Sequence, residues 1–533
     1  TFASPEGAIG FRVVQSEWPA TKHTVEARKF FQTAVKQVAD RIADGPDAAK
    51  PWMHMIEMFP DLDEKSMPEL GWKLGLDRGL GVAYHNSAIQ QMPNGDMLAA
   101  YYNAPVNEDD PDQTILIMRR RAGSEVWDMP EAWPYFADAA NAAPVIWNDK
   151  GKVWFFWGAP RLVGAWPFSF MTSKNNGADW SAVEFPKFPA PIGRYVSQPI
   201  NSVVRTKDGT ILLPTDSTGR DATGNGSISS VWGSHDDGKT WYDTGGRTGG
   251  RHTTIAMSRD GSTILGFGGK NSEIDGHMPL AVSRDGGKTW VKSATVFDEL
   301  MSGERPSVIR LKSGRLFFVA DFNPKHEKHL HKDGAYVALS DDDGKTWTMK
   351  RLPASVLTVG YTTATQTADG VIHVVTSKNK PNFEIELNEA WVMAKDAGVS
   401  PAEDAVRQIS AHVEKYASGK AMARWKSGRA ADGRVVLDGP ETFYYESGRV
   451  MWRMEFRAGE KVGEEEYLRA DGTPVWRKSY ADGGRWTWKH YDAAGKETAE
   501  STWIGKKLVS SAVPDPPLEK KIVDEAAPAA EGL

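Results

Sequence analysis

The chain has 533 residues, 40% hydrophobic and 25% charged, with a formal net charge of −6. That length exceeds one ordinary core and implies two or more domains; the charge offers no basic field for nucleic acid, and no apolar run is long enough to span a membrane. Cysteine is absent, which excludes disulfides and a cysteine nucleophile, whereas 51 Gly and 21 Trp point to short aromatic strands joined by tight turns.

Residues 1–79 show no strand period and are read as a partly helical N-terminal extension. His23 to Ala43 is predicted as one helix on the spacing of Val25, Phe31, Val35, Val38 and Ile42, and the segment from Trp52 to Trp72 as a cap or lid. Turn glycines then recur at Gly95, Gly151, Gly209, Gly261, Gly314 and Gly370, each before an apolar run, at intervals of 56, 58, 52, 53 and 56 residues. Each period holds two hairpins, so residues 80–398 are predicted to form six four-stranded blades of a β-propeller in a mainly β protein. A second repeat interlocks with the first. Its copies are Ser234-His-Asp236-Asp-Gly238-Lys-Thr240-Trp241, Ser283-Arg-Asp285-Gly-Gly287-Lys-Thr289-Trp290 and Ser340-Asp-Asp342-Asp-Gly344-Lys-Thr346-Trp347, with a worn copy from Ser173 to Trp180. The Asp suits turn amides, the Gly a positive φ and the Trp a buried ring, so these Asp residues are expected to be structural.

Residues 399–420 are predicted as a linker helix, capped by Ser400 with Pro401 and Glu403 in its first turn and striped by Val406, Ile409, Val413 and Tyr416. Residues 421–511 repeat aromatic and charged residues around Gly448, Gly472 and Gly495, which suits hairpins of a small antiparallel sheet. This region is similar to MORN-type repeats, which implies an interaction or packing module; exposed Trp and Tyr there could also bind glycan. Residues 512–533 read as a disordered tail.

The Ser-x-Asp-x-Gly-x-Thr-Trp copies resemble the Asp-box repeat of the sialidase superfamily over roughly residues 80–395. The opening of the first blade, His85-Asn-Ser-Ala-Ile-Gln-Gln-Met-Pro-Asn-Gly-Asp-Met-Leu-Ala-Ala, resembles the sialidase-like subgroup. The resemblance implies a ligand funnel where the innermost strands begin. Residues entering those strands are Tyr84-His85-Asn86, Ala143-Pro144, Gln198-Pro199-Ile-Asn201, Arg251-His252-Thr253, Glu304-Arg305-Pro306 and Tyr361-Thr362. The polar ones are the candidate site. Sialidases of this fold use an arginine triad for a carboxylate, a Tyr nucleophile activated by Glu, and an Asp acid/base. Tyr361 stands where the nucleophile is expected, Arg251 and Arg305 are candidate clamps, and Asp112 is the candidate acid/base. Asn86, Gln198 and Asn201 are candidate substrate contacts and Glu304 a further catalytic candidate. The chain departs from the pattern at the first blade, which opens on His85 with no Arg-Ile-Pro signature, and at Asp321, where Arg is expected.

Two chemistries follow, the first as the main reading and the second as the alternative. One is an exo-acting glycoside hydrolase on an acidic glycan. The other is β-elimination at a uronate, with His85 or His252 as base, Tyr361 as acid and an arginine on the carboxylate. A non-catalytic glycan- or protein-binding propeller is the third reading. His326, His329 and His331 form the densest basic cluster, read as a funnel-rim loop rather than a metal site, and no cofactor is expected. Export, to the periplasm or beyond, is expected from the resemblance and from a start at Thr1 with no signal peptide.

Overall fold

The computed structural model describes residues 34–39, 41–60, 83–104, 108, 113–132, 139–162, 165–217, 228–270, 272–301, 303–323, 334–379, 381–401 and 405–512. Six small antiparallel sheets follow one another along the chain. Their first strands are Ala83–Gln91, Ala142–Asp149, Val204–Arg205, Thr254–Met257, Ser307–Arg310 and Thr363–Gln366. These first strands lie against one another around a ring, with the last beside the first. The sheets are therefore the blades of a six-bladed propeller. Five blades have four strands; the second has three, and Glu184 bridges to Phe170 beside its third. The six glycines of the first repeat all sit at the turn after a first strand, with φ between 69° and 93°. A Cβ is strained in that region, which explains the repeat.

The second repeat closes the turn between the third and fourth strands. Asp236 Oδ1 accepts the Ser234 hydroxyl at 3.0 Å and the Thr240 N–H at 2.8 Å, while Oδ2 accepts the Thr240 hydroxyl at 2.6 Å. Trp241 Nε1 donates to the Gly238 carbonyl at 3.1 Å. Asp285 and Asp342 make the same contacts in the next two blades. These carboxylates belong to the turns, as expected. In the worn copy the polarity is reversed: Asn175 Nδ2 donates to Asp179 Oδ2 at 2.9 Å, while Asn175 Oδ1 still accepts the Ser173 hydroxyl and the Asp179 N–H. An amide is thus compatible with this turn. Asp236→Asn should leave the melting temperature near that of the parent, whereas Asp236→Ala should lower it by roughly 2–4 °C, as differential scanning calorimetry will show.

The sixth blade takes its outermost strand from the N-terminal region. Met53–Glu57 pairs antiparallel with Phe383–Leu387, in register from Met53↔Leu387 to Glu57↔Phe383. This corrects the expected cap or lid within Trp52 to Trp72: residues 53–57 belong to the ring, which therefore starts well before residue 80, and residues 61–72 lie outside the described residues. The predicted helix from His23 to Ala43 also fails where it is described. Residues 34–39 form neither helix nor strand, and several of their polar groups are claimed from outside: Lys36 Nζ meets Glu441 at 2.6 Å, Arg121 donates to the Ala34 carbonyl at 2.6 Å and the Gln37 N–H donates to Glu414. The earlier part of that helix lies outside the described residues.

The linker helix is likewise absent. Val406–Lys415 is a strand paired with Ala421–Ala430, and Gln408, at φ 55°, sits where the register shifts. Ser400 exchanges hydrogen bonds with the Met53 backbone at 2.8 and 3.1 Å. Among the described residues the one α-helix is Glu389–Met393, capped by the Asn388 side chain. The ten strands between residues 406 and 512 form one antiparallel sheet, with Gly448, Gly472 and Gly495 at positive φ in its turns. One face of this sheet is spent on the propeller. Trp425, Phe443, Trp452, Tyr467, Trp476, Trp486, Trp488 and Trp503 share a buried cluster with Met58, Phe59, Tyr101, Met118, Trp127 and Met129. These rings are core, not an exposed glycan ladder; each stabilises the junction by about 1.5–3 kcal/mol of apolar burial. The tail from residue 513 lies outside the described residues.

Candidate active site

Two aspartates build the entrances to the innermost strands. Asp216, near the end of the third blade's second strand, accepts the His252 N–H at 2.8 Å and the Arg251 Nε at 3.0 Å, and lies 2.9 Å from His252 Nδ1. Asp321, at the end of the fifth blade's second strand, accepts the N–H groups of Val359 at 2.7 Å and Gly360 at 2.9 Å and the Thr358 hydroxyl at 2.9 Å. In both cases a carboxylate on one blade ties down the segment that enters the next. Asn86, Ala143 and His252, at φ 55°, 54° and 57°, turn at the entrances themselves.

Tyr361 is the centre of the arrangement and is 2% exposed. The His85 ring stacks on it at 3.8 Å between centroids. His252 Nε2 stands 3.2 Å from its hydroxyl, and the Lys270 ammonium donates to the same oxygen. Ser377 Oγ accepts the Tyr361 N–H at 2.8 Å and lies 3.3 Å from His85 Nδ1. Arg305, 1% exposed, donates from Nη2 to the Ser87 carbonyl at 3.2 Å, whereas its Nε and Nη1 have no partner among the described residues.

Burial sets the protonation states. It lowers His252 to about 4 against the pull of Asp216, and it lowers His85 well below the usual imidazole range, helped by Lys378 and Arg305. Both imidazoles are neutral at pH 7. Burial raises Tyr361, so the resting group is a phenol. Burial and Arg251 lower Lys270 to about 8. The site thus pairs a neutral base with a protonated acid and holds an ammonium on the oxygen that would become negative. Deprotonating that ammonium removes the charge on the phenol oxygen. A reaction that builds negative charge on this oxygen should therefore show kcat/KM falling above about pH 8, and Lys270→Arg should move that limb upward because a guanidinium stays charged.

Of the residues singled out in the sequence, His85, Arg251, His252, Arg305 and Tyr361 come together. Gln198 lies beside them, with Oε1 accepting from Arg251 at 3.4 Å. Asn86 is fully buried and both its side-chain polar atoms lack partners among the described residues. Asn201 donates to the Thr362 carbonyl and to Thr363 Oγ1, bracing the sixth blade from within. Glu304 does not reach the Tyr361 hydroxyl; it accepts the Met301 N–H at 2.8 Å, and burial raises it to about 7. Asp112, His326, His329 and His331 lie outside the described residues. Glu108, four positions before Asp112 in the sequence, accepts the Tyr102 hydroxyl at 2.7 Å. Asp216, Lys270, Ser377 and Lys378 are absent from the sequence reading. The signal for Asp216 was its position at a strand end that matches Asp321.

Away from the axis, ligand-type atoms of His373, Glu384 and Glu386 lie within 4.8 Å of one another. Arg120 already occupies the place of a cation there: its Nε is 2.9 Å from Glu384 and its Nη2 2.5 Å from Glu386. That set is an internal ion cluster.

Residues 95–374 match the BNR repeat-like domain, more than half of the chain. The chain belongs to this family. The match spans the turn glycines from Gly95 to Gly370 and all the Asp-box turns, so the family is carried by the propeller and not by the C-terminal sheet. No curated protein matches the chain. The fold is similar to that of a protein of unknown function from Dyadobacter fermentans, at 15% identity and a TM-score of 0.47, over 63% of this chain and 97% of that one. It is also similar to the Trypanosoma rangeli sialidase in complex with the inhibitor DANA, at 13% identity and 0.45, over 79% and 83%. A third is the intramolecular trans-sialidase from Ruminococcus gnavus, at 12% identity and 0.44, over 60% and 98%.

Proposed function

We propose that the axial site cleaves an acidic glycan beside a sugar carboxylate, by β-elimination with Tyr361 as proton donor. The observation that supports this reading most is the shell around the Tyr361 hydroxyl. It is shared by the Lys270 ammonium and the His252 imidazole, with no carboxylate on it among the described residues. Arg305 leaves Nε and Nη1 without partners among the described residues in the same buried region, donors on a permanent cation that can meet a carboxylate. With the carboxylate neutralised, the C5 proton of a uronate becomes acidic. His85 is neutral, and its Nε2 has no hydrogen-bond partner among the described residues, so it takes that proton. The electron pair forms the C4–C5 double bond, the C4–O4 bond breaks, and O4 receives the Tyr361 proton. Lys270 holds the resulting phenolate until a proton returns through His252, which Asp216 orients.

The Asp216–His252–Tyr361 line favours a second reading. It has the order of orienting group, base and nucleophile, and in that reading Tyr361 attacks the anomeric carbon and water completes an exo-acting hydrolysis. One experiment separates the two. Purified protein is incubated with a panel of acidic glycans, and new reducing ends are counted alongside ultraviolet absorbance from an unsaturated product. Both signals together support elimination, reducing ends alone support hydrolysis, and neither on the whole panel leaves a binding propeller. Export and a partner-binding role for the C-terminal sheet accompany this reading as proposals.

A further inference from the structure

The charge around Tyr361 is lopsided. Two carboxylates are buried beside it: Asp216 is committed to Arg251 and His252, and Asp321 to the Val359 and Gly360 N–H groups. Three more cations surround the same ring: Lys270 Nζ at 5.1 Å, Arg305 Cζ at 5.7 Å and Lys378 Nζ at 5.9 Å from its centroid. None of the three forms an ion pair with a described residue. The nearest other carboxylate to act on Lys270 and Tyr361 is Glu108, in the loop after the first blade's second strand. Holding like charges together around a buried ring is costly unless something answers them. Lys270 answers the Tyr361 oxygen. Arg305 answers one carboxylate at depth. Lys378 feels the Glu304 and Asp321 carboxylates through space but forms no ion pair with either. It is exposed, sits in the loop after the sixth blade's second strand, and has no hydrogen-bond partner among the described residues. Room is kept for it: a Cβ on Gly303 would fall 1.9 Å from its ammonium.

We propose that the site takes a doubly anionic sugar, with a carboxylate at Arg305 and a second oxyanion, a sulfate or phosphate ester, at Lys378. This rests on the acidic-glycan reading above and specifies which acidic glycan. The placement is two-tiered. The buried guanidinium meets the flat carboxylate, and the exposed ammonium, a compact point charge on a flexible stem, meets the tetrahedral ester. A mono-anionic uronate satisfies one tier and leaves the other unanswered. The second anion is then a determinant of specificity and takes no part in bond breaking.

Isothermal titration calorimetry tests this on the full chain with three monosaccharides: a uronic acid, the same sugar carrying one sulfate ester, and its phosphate ester. The expected result is that at least one ester binds roughly tenfold or more tightly than the plain uronate, the usual weight of one charge-assisted hydrogen bond. Lys378→Gln should abolish that preference and leave the plain uronate unchanged, and Lys378→Arg should restore it. The proposal is overturned if the plain uronate binds as tightly as both esters, or if Lys378→Gln weakens all three alike. In those cases cleavage of mono-anionic glycans by the Tyr361 site still stands. If none of the three sugars binds, both the second anion and the acidic-glycan reading fall.

Discussion

Tyr361→Phe is expected to lower kcat/KM on the responsive glycan by about 10²–10⁴-fold, the usual weight of a positioned general acid. The variant keeps the ring that stacks on His85 and loses only the oxygen that meets His252 and Lys270. Its circular dichroism and melting curve should therefore match those of the parent, which separates lost chemistry from lost fold. The two readings of the site diverge in what remains. If Tyr361 donates a proton to the leaving oxygen, substrates with an acidic leaving group need that proton less, and the defect should shrink on them. If Tyr361 is the nucleophile, no leaving group rescues the variant. Equal activity of Tyr361→Phe and parent would remove the axial site as the seat of the reaction.

Arg120→Met should be the most destabilising single change at the junction of the first and sixth blades, costing about 3–5 kcal/mol. Arg120 is buried and binds Glu384 and Glu386 through Nε and Nη2, and the Ser124 carbonyl through Nη1 at 3.0 Å. Methionine fills the space but leaves two buried carboxylates facing each other, with His373 at 2.8 Å from Glu384 and His54 at 3.5 Å from Glu386. The pH dependence follows from the sign of the shift. In the parent, Arg120 holds Glu386 well below the usual carboxylate range, so its contribution is present above the unfolded pKa and is lost as pH falls through the folded one. In the variant that support is gone and the carboxyl can take up a proton. The gap between variant and parent should therefore narrow between about pH 7 and pH 5. Urea midpoints at the two pH values measure it. A gap that widens on acidification would show that the cluster is not held by charge.

Repeats that answer a local backbone need were legible in the sequence. Gly95 and its five counterparts each relieve a positive φ, and Asp236 satisfies its own turn, so spacing alone revealed blades and hairpins. The helix expectations failed because periodicity does not report what a stripe packs against. Ile409 and Val413 are 51% and 47% exposed on a strand, and the Lys36 ammonium, the Ala34 carbonyl and the Gln37 N–H are tied to Glu441, Arg121 and Glu414 rather than to a helical turn. At the site, the residues entering each blade were readable from the repeat, which placed His85, Arg251, His252, Arg305 and Tyr361 together. Lys270 and Lys378 were not, because they stand in loops whose length differs from blade to blade. Asp216 gains its meaning only through the neighbouring blade that it binds.

The strand Met53–Glu57 has a consequence for how the chain reaches its native state. Its partner, Phe383–Leu387, follows some 330 residues later, so on the ribosome the strand waits, unpaired, while five blades are made. Its buried Met53 and Ile56 are exposed in that interval, and the sixth blade cannot complete before residue 387 has emerged. Once paired, the same strand works as a latch. Opening it releases a loop of nearly two-thirds of the molecule, and the entropy that opposes closing so long a loop rises only slowly with its length. Synthesis is therefore the vulnerable period for this protein, and early termination anywhere before residue 387 leaves an open ring with a bare sheet edge.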